Sequence, residues 1–151
     1  MIGEAGFGVS ATKGAAMDLP QLGRVILQDG VTVGANSCID RGAWEDTVVG
    51  ENTKIDNLVQ IGHNVRIGKA CVFAGQAGVA GSVTIGDHVL VGGAVSISDH
   101  VTVGDGAKIA GKSGVMRDVA AGETVAGYPA MPVRQWHRQS VTLAKLAKKS
   151  D

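Results

Sequence analysis

The sequence predicts an all-β parallel solenoid followed by a short C-terminal helix, and three observations carry that reading. First, stepping by six from Val49 gives Ile55, Ile61, Ile67, Phe73, Val79, Ile85, Val91, Ile97, Val103, Ile109 and Val115, all apolar. At the chain's 44% apolar content such a run arises by chance about once in 20,000 trials. Second, the positions two residues earlier, from Thr47, Thr53 and Val59 through Cys71 and Ala77 to Ala107 and Ser113, are small or β-branched and never charged. On an α-helix a step of six advances about 600° and scatters the series over three faces. Six is a multiple of the strand period, so a short strand and a turn per hexad keep both series on one inward side. Third, Gly50, Gly62, Gly68, Gly86, Gly92 and Gly104 each follow a large apolar residue, where a solenoid needs its turns.

The elements follow in order. Residues 9–23 contain Gly14, Ala15 and Pro20 without the period and read as an excursion from an early coil. Leu27, Val33 and Ile39 keep the spacing, and the step from Ile39 to Val49 is ten, so residues of about 40–46 bulge from a corner. After Val115 the register fades, and Gly127-Tyr128-Pro129-Ala130-Met131-Pro132 breaks it. Val133, Trp136, Leu143 and Leu146 then recur at helical intervals between basic residues. The expected division is a β-helix over residues 1–130 and an amphipathic helix over 131–151.

Composition excludes several classes. With 14 Lys+Arg against 14 Asp+Glu and 3% aromatic residues, the chain has neither the charge nor the stacking platforms of a nucleic-acid binder. Cys38 and Cys71 have no metal-type spacing, which fits a reducing, cytoplasmic setting. No run reaches the ~18 apolar residues of a membrane span, and no secretory signal opens the chain. Residues 134–151 hold five Lys/Arg and one Asp, a surface either for an acidic partner or simply for solvent.

Among four histidines, His63 stands two residues after its apolar anchor Ile61, at a corner and pointing outward. Gly81 lies eighteen residues on, one three-sided coil away on the same corner at about 5 Å along the axis. His100 lies within one residue of two full coils from His63, whereas His88 falls on another corner. A histidine beside a glycine backbone, with a second histidine beyond, reads either as a catalytic edge or as a solvated corner. An imidazole can take a proton near neutral pH, and an unobstructed Gly81 N–H can stabilise an oxyanion. Cys71, at an inward position, is expected to be inert.

The runs Gly6-Phe7-Gly8, Leu19-Pro20-Gln21-Leu22-Gly23-Arg24-Val25, Ile39-Asp40-Arg41-Gly42-Ala43, Lys54-Ile55-Asp56-Asn57, Gln60-Ile61-Gly62-His63-Asn64-Val65 and Gly111-Lys112-Ser113-Gly114-Val115-Met116 resemble one family over nearly the whole chain. It is the UDP-3-O-(3-hydroxyacyl)glucosamine N-acyltransferases of lipid A synthesis, within the hexapeptide-repeat acyltransferases. The resemblance implies a left-handed β-helix, against the right-handed preference of ordinary crossovers, and a homotrimer with active sites between neighbouring solenoids. It implies His63 as general base and His100 as a second active-site histidine. The acyl donor it implies is a 3-hydroxyacyl thioester on the phosphopantetheine of acyl carrier protein, with no cofactor bound by the enzyme itself. The acceptor is the 2-amino group of a UDP-3-O-acylglucosamine.

Asp56 is a candidate to orient the imidazole, and Asn57 and Asn64 are candidate substrate-binding residues within the matched motifs. Arg41 and Arg117 are candidates to bind phosphate or pantetheine, and small Gly114 lies where the family gauges acyl length. Two features depart from the family. The chain begins almost inside the solenoid, without the N-terminal uridine-binding domain, and Asp99 replaces the glycine usual before the second histidine, which is expected to alter that turn. Two other readings share the fold. A γ-type carbonic anhydrase would need a third histidine shortly after His100, and a non-catalytic trimeric solenoid would bind acyl carrier protein through its basic helix.

Overall fold

The computed structural model describes residues 1–12 and 14–147. It is a left-handed parallel β-helix with three walls. The first wall stacks Ile2–Glu4, Cys38–Asp40, Gln60–Ile61, Gly78–Val79, Ser96–Ile97 and Gly114–Val115. The second stacks Val25–Leu27, Thr47–Val49, Arg66–Ile67, Thr84–Ile85 and Thr102–Val103. The third runs from Thr32–Val33 through Lys54–Ile55, Val72–Phe73, Leu90–Val91 and Lys108–Ile109 to Thr124–Ala126, where Met131–Pro132 adds an antiparallel edge.

All twelve positions of the Val49–Val115 series are buried, and so is every position two residues earlier. The outward residues of the strands from Val48 to Lys108 remain exposed or partly exposed, whereas Gly114 is covered. Three hydroxyls fall on the small inward series, where their hydrogen-bonding capacity must be met locally. Thr53 Oγ1 donates to Gly68 O at 2.9 Å, Ser113 Oγ donates to Ala110 O at 2.6 Å, and Thr47 Oγ1 accepts the Asn64 N–H at 2.9 Å. A short polar side chain that reaches an adjacent carbonyl or amide therefore substitutes for Val or Ala without a buried orphan.

The ends differ from the sequence reading. Leu27 and Val33, expected to continue the inward series, are exposed and partly exposed respectively, because the first coil has fewer neighbours to cover it. At the other end the fading register conceals a further coil shortened by two residues. Lys108 pairs with Thr124 and Val103 bridges Val119, each sixteen residues apart instead of eighteen. The excursion forms a hairpin, Val9–Thr12 against Ala15–Asp18. The helix spans Val133–Ala147 and buries none of its residues; Lys148 and Lys149, part of its expected basic face, lie outside the described residues.

Candidate active site

His63 lies on the corner between the first and second walls, and its backbone carbonyl accepts the Ser82 N–H of the next coil at 2.8 Å. Asn64 follows in the left-handed region, φ 59°, a conformation that asparagine tolerates. The His63 Nδ1 stands 2.9 Å from Asn64 Oδ1. The same oxygen accepts the Ala43 N–H at 3.0 Å, while Asn64 Nδ2 donates to Glu45 O at 3.2 Å. Those two bonds fix which end of the amide is oxygen, and that oxygen can only accept. In the neutral imidazole Nδ1 therefore carries the proton and Nε2 keeps its lone pair.

Nε2 faces Gly81, where an added Cβ would lie 2.6 Å from it, so no larger residue fits without displacing the ring. The neighbouring amides are committed: Ala80 N–H donates to Ile97 O at 3.0 Å and Ser82 N–H to His63 O. The Gly81 N–H donates no hydrogen bond among the described residues. Glycine and histidine thus meet one coil apart, as their eighteen-residue spacing predicts.

A cavity of about 520 Å³ lies along this corner, lined by Phe7, Asp40, Gln60, Gly62, His63, Gly81, Ser82, Asp99 and His100 among others. His100 occupies its far end, with φ 58° and its N–H on Gly81 O at 3.2 Å. Ser82 and Asn64, one and two coils back, have φ of 63° and 59°, so Asp99 leaves this turn unchanged.

Asp40 and Phe7 are among the lining residues that the sequence reading does not place at the site. Asp40, expected within the corner insertion, ends a strand whose Ile39 pairs with Ile61, which stacks it beside the His63 corner. The ten-residue step after Ile39 was the available signal, because the extra residues follow Asp40. Burial pushes the Asp40 carboxyl up, opposed by the hydrogen bond that Gln60 Nε2 donates at 3.0 Å and by the charge of His63. Phe7 is carried by the segment before the hairpin. Gly6 packs so closely on the His63 side chain that a Cβ would fall 2.7 Å from His63 Cβ, and the Gly8 N–H closes a tight turn on Gly6 O at 2.9 Å.

Other candidates lie elsewhere. Asp56 is on a different corner, near Gly75, so within one chain the orienting role expected of it falls to Asn64. Asn57 Oδ1 accepts the Ala35 N–H at 2.6 Å. Arg41 Nε donates to Gly3 O at 2.7 Å and ties down the first strand. Arg117 lines a separate cavity of about 280 Å³ at the C-terminal end, and Gly114 is covered by the Tyr128 ring. Among the described residues, no group of three or more His, Cys, Asp or Glu side chains could hold a metal ion, and no helix is long and apolar enough to cross a membrane.

Residues 46–81 match the family model of the bacterial transferase hexapeptide (six repeats). The chain is 56% identical over 147 residues to a UDP-3-O-acylglucosamine N-acyltransferase of Caulobacter vibrioides, and 54% identical over 149 residues to that of Methylorubrum extorquens. These alignments cover 97% and 99% of this chain but 43% and 42% of the relatives, so the chain spans less than half their length. Among solved structures, a UDP-N-acetylglucosamine O-acyltransferase of Moraxella catarrhalis superposes with a TM-score of 0.77 at 27% identity, covering 87% of this chain and 49% of that one. The Campylobacter jejuni UDP-N-acetylglucosamine acyltransferase gives 0.75 at 26% identity, with the same coverages. With its periodic core, its corner histidine beside a glycine and these relatives, the chain is a hexapeptide-repeat solenoid similar over nearly its whole length to part of the UDP-3-O-acylglucosamine N-acyltransferases.

Proposed function

We propose that this chain is the acyl-transferring solenoid of a lipid A N-acyltransferase, moving a 3-hydroxyacyl group from acyl carrier protein to the 2-amino group of a UDP-3-O-acylglucosamine. The observation that carries the reading is the fixed tautomer of His63, whose free Nε2 lies against Gly81, a residue whose N–H donates no hydrogen bond among the described residues. In this reading the amine nitrogen attacks the thioester carbon, and the carbonyl oxygen becomes an oxyanion that accepts the Gly81 N–H. His63 Nε2 takes the proton lost by the amine. The tetrahedral centre then expels the phosphopantetheine thiolate, which recovers the proton from the imidazolium, so no separate strong acid is needed. The relatives favour this chemistry over a zinc hydratase.

The same proposal makes the protein a cytoplasmic homotrimer, with a neighbouring solenoid completing the cavity. His100, at the far end, then contacts substrate, while Asp56, Asn57, Arg41 and Arg117 serve the site from a neighbouring chain or the distal groove. Mass spectrometry of the product formed from hydroxyacyl carrier protein and UDP-3-O-acylglucosamine tests the reading. The expected result is an amide, with His63→Ala lowering its rate by about 10²–10⁴-fold while the melting temperature is retained. A His63→Ala protein as fast as the parent removes His63 as the base.

A further inference from the structure

Most corners of this solenoid that carry an Asp or Asn use it in one way. The amide two residues after a large apolar residue is capped by the residue in the same register one coil on. The Ala35 N–H donates to Asn57 Oδ1 at 2.6 Å, the Lys69 N–H to Asp87 Oδ1 at 2.7 Å, and the Asp87 N–H to Asp105 Oδ1 at 2.8 Å. In each case the residue before the donor is a glycine, Gly34, Gly68 or Gly86. The capping oxygen occupies the place where that glycine's Cβ would be: a Cβ on Gly34 would come within 2.7 Å of Asn57 Oδ1, and those on Gly68 and Gly86 would collide with the Asp87 and Asp105 Oδ1 atoms. The missing methyl is therefore the seat of the cap.

The cavity corner has the acceptor without the seat. Asp99 stands to Gly81 as Asp87 stands to Lys69, eighteen residues on and two after its own apolar residue. The residue before Gly81, however, is Ala80. Asp99 does not reach the Gly81 amide; its carboxylate is exposed, with Oδ2 4.0 Å from His100 Nε2. We propose that Ala80 is a positioning residue whose methyl group bars Asp99 from the Gly81 amide and so keeps that donor open to the substrate oxygen. This rests on the acyl-transfer reading above and gives a reason for an alanine at a turn position that is elsewhere so often glycine. A glycine here would let the chain's own carboxylate compete with the oxyanion for the one donor.

The test is Ala80→Gly, alone and combined with Asp99→Ala, read by crystal structure and by steady-state kinetics. In Ala80→Gly the Asp99 carboxylate is expected within hydrogen-bond distance of the Gly81 N–H. The kcat for amide formation should fall by about 10²-fold, at the lower end of the loss seen when an oxyanion donor is removed. Adding Asp99→Ala should restore kcat to that of Asp99→Ala alone. A general loosening of the turn by glycine would not be rescued in this way. An uncapped amide in the Ala80→Gly crystal overturns the proposal. A capped amide with undiminished turnover overturns it too, because Gly81 is then not the donor. A capped amide in a protein whose parent forms no amide bears out the seat and instead refutes the acyl-transfer reading.

Discussion

Asn64 shows how one side chain joins scaffold to chemistry. Its oxygen accepts from both the Ala43 amide and the His63 ring, and its nitrogen is spent on Glu45 O. Asn64→Ala removes the acceptor that selects the reactive tautomer, and kcat is expected to fall about tenfold, the equivalent of one lost hydrogen bond. In a His63→Ala background the same change should cost nothing further in kcat, which a purely structural loss would not produce. Cys71 behaves oppositely. Burial pushes its thiol up, and its Sγ lies 3.1 Å from Gly86 O. A thiol reagent at mildly alkaline pH should leave Cys71 unlabelled in the folded protein and modify it only after denaturation; native-state labelling, mapped by peptide mass spectrometry, would contradict this. The sequence made His63, Gly81 and His100 legible because an eighteen-residue interval is a whole coil. It hid Asn64's role and Asp40's place because both depend on the corner insertion, where counting by six fails.

At the scale of the element, the insertion after Asp40 is anchored at its far end rather than loose. Asp46 accepts the Arg24 backbone N–H at 2.8 Å, and its other oxygen pairs with the Arg24 guanidinium, also at 2.8 Å. These bonds hold the Asp46 carboxyl below the usual range, through the side-chain bond first and the backbone bond second. A carboxylate with a depressed folded pKa adds stability above its unfolded pKa, near ~3.9, and loses it as pH falls through the folded value. Asp46→Asn should therefore unfold at lower urea than the parent at pH 7, with the gap closing below about pH 4; a gap independent of pH would exclude the ion pair as its cause. The six-residue walls were readable because each inward residue has the same surroundings. The last coil was not, because deleting two residues between Val103 and Val119 shifts the period without disturbing the stack.

Across the whole molecule, each coil touches only its neighbours, so stability should vary along the axis instead of being shared equally. The middle coils are closed on both sides: Ile61, Phe73, Val83, Val95 and Val103 are almost wholly removed from solvent. The first coil has the Ile2–Glu4 strand on one wall only, and its Val25, Leu27, Val31 and Val33 remain exposed or partly exposed. Hydrogen exchange should therefore be slowest for amides bonded between central coils, such as Gly62 to Val79 O and Gly78 to Val95 O. It should be faster for the amides of Gln28, Thr32 and Gly34, although these too are bonded to the next coil, because opening an end coil exposes less apolar surface than opening one with neighbours above and below. Phe73→Ala, at the largest fully buried side chain, should cost about 3–5 kcal/mol. It should also speed exchange in the adjacent coils before it does so at the ends. Equal acceleration everywhere would mean that the solenoid opens as a single unit, and the nearest-neighbour picture would have to be abandoned.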